Sequence, residues 1–331
     1  MNSATRVPER QVLPTIRHHA LDLLRLCQQL GPDDAVTTMV LDFSDAFMGI
    51  PLAMEEQCFN ACFLERPLLR RRPPAFPGEA RQGQVIVWQV LGFGGKPNPL
   101  VYSRAASFAA RSAQGLLRTS TRSRLGSAAC SPGRLQLYVD GPVLSLAGRP
   151  EENDAAIDLT LLWWLCLGPP LAWKKGTSGD GIHRWIGGMF EVRPTSSACA
   201  AVRQQLAGTR HHVVVTVPPD FVKTLTEDLE LFRGRSGHVG DEDVQRTLGR
   251  CGRLAYLIPA ARPFVAALWG ALAASDAVCR RGRREAPPGR HAVARFAQAA
   301  TWIHRLLNPP PRVEPWLPLE QLISKNLAGF R

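Results

Sequence analysis

Two short apolar stretches that each run into an aspartate constrain this chain more than any other feature. They are TTMVLDFSDAF at 37–47 and LQLYVDGPV at 135–143, about 100 residues apart. Each reads as a β-strand, rich in β-branched and aromatic residues and followed by turn formers. An aspartate at a strand end is most often a turn former or a helix cap. Two of them on adjoining strands also answer a specific chemical problem. Phosphoryl transfer needs divalent cations held between an attacking hydroxyl and a leaving group, and Mg²⁺ takes hard oxygen ligands with few protein carboxylates. Asp42 and Asp140 are therefore the candidate catalytic residues and metal ligands.

The bulk composition fits such chemistry. The chain has 331 residues, 45% of them hydrophobic, enough for two or three packed units. Forty Lys and Arg against 28 Asp and Glu leave a net charge of +12, which favours polyanionic partners: nucleic acid first, an anionic membrane second. MNSATRVPER has no apolar core and does not read as a signal peptide. LTLLWWLCLGPPLAW at 159–173 is broken by Pro169 and Pro170, and is expected to be a buried helix and a turn, so no membrane partner is expected. Eight cysteines without a C-x-x-C pair or Cys/His metal spacing predict reduced thiols and an intracellular, cytoplasmic or nuclear, location. The pairs His18-His19 and His211-His212 receive no role.

Along the chain, 13–30 has a helical apolar pattern stopped by Gly31-Pro32, and a strand follows at about 37–43. Residues 65–83 form a basic, Pro-rich loop with Arg66, Arg70, Arg71 and Arg72, for which a solvated face and a phosphate-contacting role are equally open. The order then runs VIVWQV strand at 85–90, glycine-rich turn LGFGGKPNP, and a long helix. That helix has Asn98 as N-cap, Pro99 at its first position, and Val101, Ala105, Phe108 and Ser112 on one face. After the strand at 135–140 come a helix at 151–167 with EEND in its first turn, a basic turn at 173–181, and the apolar stretch 183–192. Helices dominate from about 220, with a basic linker at 280–290 and a last helix near 291–307.

Five segments, in order, resemble the palm motifs of reverse transcriptases. MVLDFSDAFMGIPL is similar to the first, LGFGGKPNPLVYSRAAS to the second, LYVDG to the Tyr-x-Asp-Asp box, LAWKKG to the fourth, and RWIGGMF to the primer-grip hairpin. The resemblance covers about residues 35–192, and GRLAYLIPAARPFVAALWGAL looks like the thumb and connection of retroelement polymerases, most of all the tyrosine-recombinase (DIRS-like) class. It implies an α+β fold: a right-hand polymerase palm, with a ferredoxin-like antiparallel sheet and helices, followed by an all-helical thumb/connection. The implied domains are an N-terminal helical remnant of the fingers at 1–34, the palm with part of the fingers at 35–195, the thumb/connection at 196–278, and a basic linker with a C-terminal helix at 279–331.

The implied activity is RNA-directed DNA polymerisation with Mg²⁺, or Mn²⁺ in its place. The implied partners are an RNA template, a DNA primer or RNA–DNA hybrid, and deoxynucleoside triphosphates. Residue by residue, the resemblance makes Asp42, the Phe43 carbonyl and Asp140 the metal donors. Asp45 and Ala46 lie beside the incoming triphosphate, and Phe47 is the aromatic gate that excludes a 2′-hydroxyl; a core aromatic is the plainer reading of Phe47. Gly94 and Gly95 let the backbone approach the nascent base pair, and Lys96 borders the template and nucleotide. Lys174 or Lys175 matches the cation at the leaving pyrophosphate, with Lys175 taken as the catalytic one and Lys174 as a substrate contact, and Trp185, Ile186 and Gly187 build the primer grip.

The chain departs from the family at three places. Tyr138-Val139-Asp140-Gly141 lacks the second aspartate of the third motif, which predicts weakened metal binding and impaired catalysis. Only 41 residues precede Asp42, so most of the fingers are expected to be missing, and no ribonuclease H or integrase-like signature follows. A fragment or decayed copy of a mobile element is the expectation. A catalytically dead module that still grips a nucleic-acid duplex remains the alternative.

Overall fold

The structure is a computed structural model that describes residues 12–65, 83–92, 95, 97–120, 132–198, 210–233, 237–280 and 286–308. The Arg66 to Arg72 cluster, Phe93, Gly94 and Lys96 lie outside the described residues. The fold is α+β with antiparallel sheets, and the chain divides into two compact units. One comprises Met1–Pro14 and Gly31–Ser178, the other Thr15–Leu30 and Gly179–Arg331.

The first unit is built on strand β1 (Ala35–Val40). The hairpin Gly133–Tyr138 (β4) and Gly141–Gly148 (β5) lies against it, with β5 antiparallel to β1 from Ala35↔Gly148 to Val40↔Val143. The sheet order is β4-β5-β1-β6, where β6 is Thr177–Asp180. Helices α3 (Asn98–Ser120) and α4 (Pro150–Leu167) cover one face. Met39, Leu144 and Leu146 from the sheet meet Ala106, Ala109, Ala113 and Leu117 of α3 and Trp164 of α4 in one core. The alanines let α3 approach closely, and the Trp164 indole donates to the Ala109 carbonyl at 3.3 Å. Asn153 ties α4 to the sheet by donating to Ala35 O, Thr37 Oγ1 and Gly148 O. Pro150 opens α4 with Glu151 and Glu152 in its first turn, and Gly168 ends it at φ +91. A short helix α2 (Met54–Gln57) precedes the two-stranded hairpin of β2 (Ala61–Glu65) and β3 (Gly83–Val87).

On α3, Val101, Ala105 and Phe108 are exposed and Ser112 is half-buried, its Oγ accepting from Trp163 Nε1 at 2.8 Å, while the alanine face with Tyr102 is buried. One expectation for this unit is corrected. The segment 159–173 is a helix end and turn as expected, yet its burial is one-sided: Trp164 is fully buried while Leu162 and Leu165 are exposed. No described helix is long and apolar enough to cross a membrane.

In the second unit, α1 (Ile16–Cys27) packs on a sheet of β7 (Ile182–Trp185), β8 (Gly188–Pro194) and β9 (His211–Thr216). Thr15 and His18 close a reciprocal cap at the start of α1. Helices α5 (Pro219–Glu230), α6 (Asp241–Leu257), α7 (Arg262–Arg280) and α8 (Ala297–Leu307) enclose a core with Leu225, Leu248, Leu254, Phe296 and Ile303. The expectation of a purely helical segment after 196 is corrected by β9, β10 (His238–Gly240) and β11 (Arg290–Ala292). The β-branched run Val213–Val215 pairs with β8, where each of the three valines is buried.

Candidate active site

The site residues of the first unit gather where β1 leaves the sheet. Leu41 N donates to Pro142 O at 3.1 Å, and Phe43 N donates to Asp140 O at 2.8 Å. On the other side, Ala172 N donates to Asp42 O at 2.8 Å and Ser44 N to Pro170 O at 2.8 Å. Asp42 is thus stitched between the β4–β5 turn and the segment that follows α4. The two aspartates singled out in the sequence, 98 positions apart by number, are brought to neighbouring strand ends.

The β4–β5 connection is a two-residue turn, Val139 and Asp140, closed by Tyr138 opposite Gly141. Val139 has φ +56, a left-handed conformation that costs a β-branched residue about 1–3 kcal/mol. Asp140 is exposed at the tip and Asp42 is partly buried. Gly141 lies outside the left-handed region, and a β-carbon placed on it would stand 3.3 Å from Asp42 Oδ1. A carboxylate at position 141 would therefore stand beside Asp42.

Lys175 Nζ lies 3.1 Å from Asp42 Oδ2. A single-turn helix at Trp173–Lys175 carries it, and Gly176 lets that turn approach β1, since a β-carbon there would come within 2.8 Å of Leu41 Cδ1. Lys174 is exposed in the same turn. Phe43 and Ala46 are buried, Phe43 edge-on to Trp164 with ring centres 5.3 Å apart. Asp45 is exposed at φ +46, and its carbonyl accepts from Gly49 N at 3.0 Å. Phe47 is buried and stacks on Tyr102 at 4.8 Å.

Tyr102 is the residue that motif reading missed. Burial, with the negative charge of Asp140 as a second cause, raises its phenol well above the ordinary range. Its place one turn into α3, four residues after Asn98, was the available signal. Asn98 itself is the first residue of the helix and not the expected N-cap, its side chain donating to Gly92 O. Gly95 has a clear steric role: a β-carbon there would overlap the Asn98 side chain at 2.5 Å, and Asn98 Nδ2 donates to Gly92 O at 2.6 Å. Among the described residues no group of three or more His, Cys, Asp or Glu side chains is arranged to hold a metal ion.

Trp185, Ile186 and Gly187 belong to the second unit, at the β7–β8 hairpin. Trp185 is buried and meets His19 edge-on at 5.0 Å. Ile186 at φ +39 and Gly187 at φ +85 make the turn, and a β-carbon on Gly187 would strike the Arg253 guanidinium at 2.6 Å. No protein-family model and no curated protein matches the chain.

Proposed function

We propose that this chain is a retroelement-derived, reverse-transcriptase-like domain. In this reading the first unit is a polymerase palm whose ancestral chemistry is RNA-directed DNA synthesis, impaired by the glycine at 141. The observation that carries the reading is the backbone bond from Phe43 N to Asp140 O, which sets the two candidate carboxylates on adjoining strand ends, with Lys175 on Asp42. The five motif-like segments support it from the sequence side.

The donor set fits Mg²⁺ or Mn²⁺: two carboxylates and the Phe43 carbonyl are few, but Mg²⁺ usually takes one or two carboxylates and completes its shell with water and substrate phosphates. Such an ion supplies Lewis-acid stabilisation at the phosphate and a lowered pKa at the attacking hydroxyl. Asp42 and Asp140 contribute the anionic charge that holds it. Lys175, one residue from the glycine that seats its turn, offers a cation and a proton to a leaving pyrophosphate. Phe47, backed by Tyr102, forms a rigid wall beside Ala46. Loss of the carboxylate at 141 leaves less negative charge to offset Lys175 and the metal, so the site is expected to turn over weakly.

Primer extension on an RNA template with deoxynucleotides, in Mg²⁺ and in Mn²⁺, tests the reading. Extension by the parent chain or by Gly141→Asp, abolished by Asp42→Asn, is the expected result. No extension by either in a folded protein would overturn it. A second reading, a duplex-gripping module without catalysis, draws on the missing third carboxylate and the charge of +12. It predicts salt-sensitive duplex binding that survives Asp42→Asn, with no incorporation in any metal.

A further inference from the structure

The outward face of α3 carries exposed side chains whose chemistry is unusual for a solvated helix. Arg104, Phe108 and Arg111 follow one another at one-turn spacing, all exposed, with 61% of the Phe108 surface open to solvent. The two arginines stand about 10 Å apart along the axis. Over its 23 residues α3 holds no aspartate or glutamate, and the seven-residue spacing of the arginines continues in the sequence to Arg118.

Beside this face runs a groove of about 600 Å³ between α3, β4 and the segment before α1, lined also by Val12, Leu13, Leu100, Ser107, Leu137 and Val139. Its β4 end is Val139, the residue joined to Asp140. We propose that this face and groove form a binding track for single-stranded nucleic acid, with Phe108 stacking on a base while Arg104 and Arg111 engage flanking phosphates.

The alternation decides the occupant. A docking protein helix would leave the two arginines and the lack of any acidic residue on α3 unexplained, and a bare polyanion would leave an exposed phenylalanine between two cations unexplained. Guanidinium groups on either side of an exposed aromatic ring match a chain that carries phosphates and π-faces in alternation. A duplex fits worse, because its bases are stacked inside and offer no face to Phe108. Naming that strand as a template rests on the polymerase reading; single-strand binding itself does not.

The test is fluorescence anisotropy of the full chain with short labelled RNA and DNA single strands, and with the corresponding duplex, across a salt series. Phe108→Ala should weaken single-strand binding about 5- to 150-fold and leave duplex binding unchanged. Arg104→Ala with Arg111→Ala should flatten the salt slope of single-strand binding by about 1.4, at about 0.7 per lost phosphate contact. Lys223→Ala, on α5, should do neither. These positions are exposed on a helix, where alanine is well tolerated. Equal losses for single strand and duplex, an unchanged salt slope, or displacement of the oligonucleotide by poly-glutamate as readily as by unlabelled RNA would overturn the assignment. If Gly141→Asp extends no primer while Phe108-dependent binding persists, the polymerase reading fails and the track stands. Primer extension without Phe108-dependent binding overturns the track and leaves the polymerase reading in place.

Discussion

Replacing Gly141 with aspartate puts a measurable charge where the structure leaves room for one. A β-carbon at 141 stands 3.3 Å from Asp42 Oδ1, 3.6 Å from Tyr138 O and 3.9 Å from Leu41 O, and the backbone there is not left-handed. The side chain is therefore accommodated after a shift of a few tenths of an ångström, and its main cost is electrostatic. Two like charges about 4 Å apart, the separation such a side chain reaches, repel by about 1 kcal/mol in water and about 4 kcal/mol near a protein surface. Asp42 is 35% exposed and faces Lys175 at 3.1 Å, which places the expected loss near the lower bound, about 1–2 kcal/mol without divalent ions.

For a unit of this size that is a fall in Tm of about 2–8 °C. Mn²⁺ or Mg²⁺ should reverse the order, because binding to the folded state alone adds about 2.7 kcal/mol at a hundredfold excess over Kd. Calorimetric melts in chelator and in Mn²⁺, with Gly141→Asn as the uncharged control of equal shape, separate charge from packing. The expected pattern is a variant less stable than the asparagine control in chelator and more stabilised than the parent by Mn²⁺. If aspartate and asparagine melt alike in chelator and respond alike to Mn²⁺, residue 141 does not share a site with Asp42 and the reasoning fails.

Three further outcomes follow from other parts of the molecule. In the second unit, His19 Nε2 and His183 Nε2 share a hydrogen bond at 2.7 Å, and burial lowers both rings, His183 to about 4. The unfolded chain takes up protons near 6.5 and the folded one does not, so stability falls as pH drops from about 6.5 to about 4, by about 3 kcal/mol for His183 alone. Denaturant titrations should show that slope, and the double substitution His19→Leu/His183→Leu should flatten it. Val139→Gly should stabilise the protein by about 1 kcal/mol by relieving the left-handed valine, read as a higher denaturation midpoint at unchanged m-value. Trp164→Ala removes a fully buried indole, its bond to Ala109 O and its edge contact with Phe43, and should cost about 3–5 kcal/mol in the same assay.

The helices were legible where local chemistry and packing agree. α4 announces itself by Pro150, two glutamates in its first turn and Gly168 at its end, all of which act locally. Strand β5 was not legible, because GPVLSLAG begins with Gly-Pro and reads as a turn until β1 is laid beside it. β9 hid behind the His211-His212 pair for the same reason: its valines become a strand only against β8. Which face of α3 packs was not legible for a different reason. Hydrophobic weight favours Val101 and Phe108 as the packing side, yet the sheet and α4 leave space only for a thin alanine face with one tyrosine. Lys174 and Lys175 are equivalent in sequence; the ion pair with Asp42 distinguishes Lys175.

Every non-glycine residue with left-handed φ among the described residues falls on a segment that resembles a polymerase motif: Asp45, Val139 and Ile186. Aspartate tolerates that conformation, whereas valine and isoleucine are poor choices for it. A hairpin that needed only to reverse direction would carry glycine or asparagine at position 139. This chain places valine there and puts its glycine two residues later, at a φ that does not require one. The turn is thus strained where relief was available and open where a side chain would reach Asp42. The surrounding ladder, from Tyr138 opposite Gly141 to Phe43 bonded to Asp140, holds that strained turn in place. Local sequence rules fail here in the way expected of a turn shaped for a site, and in the proposed polymerase reading the glycine at 141 marks the position where that site lacks a charge.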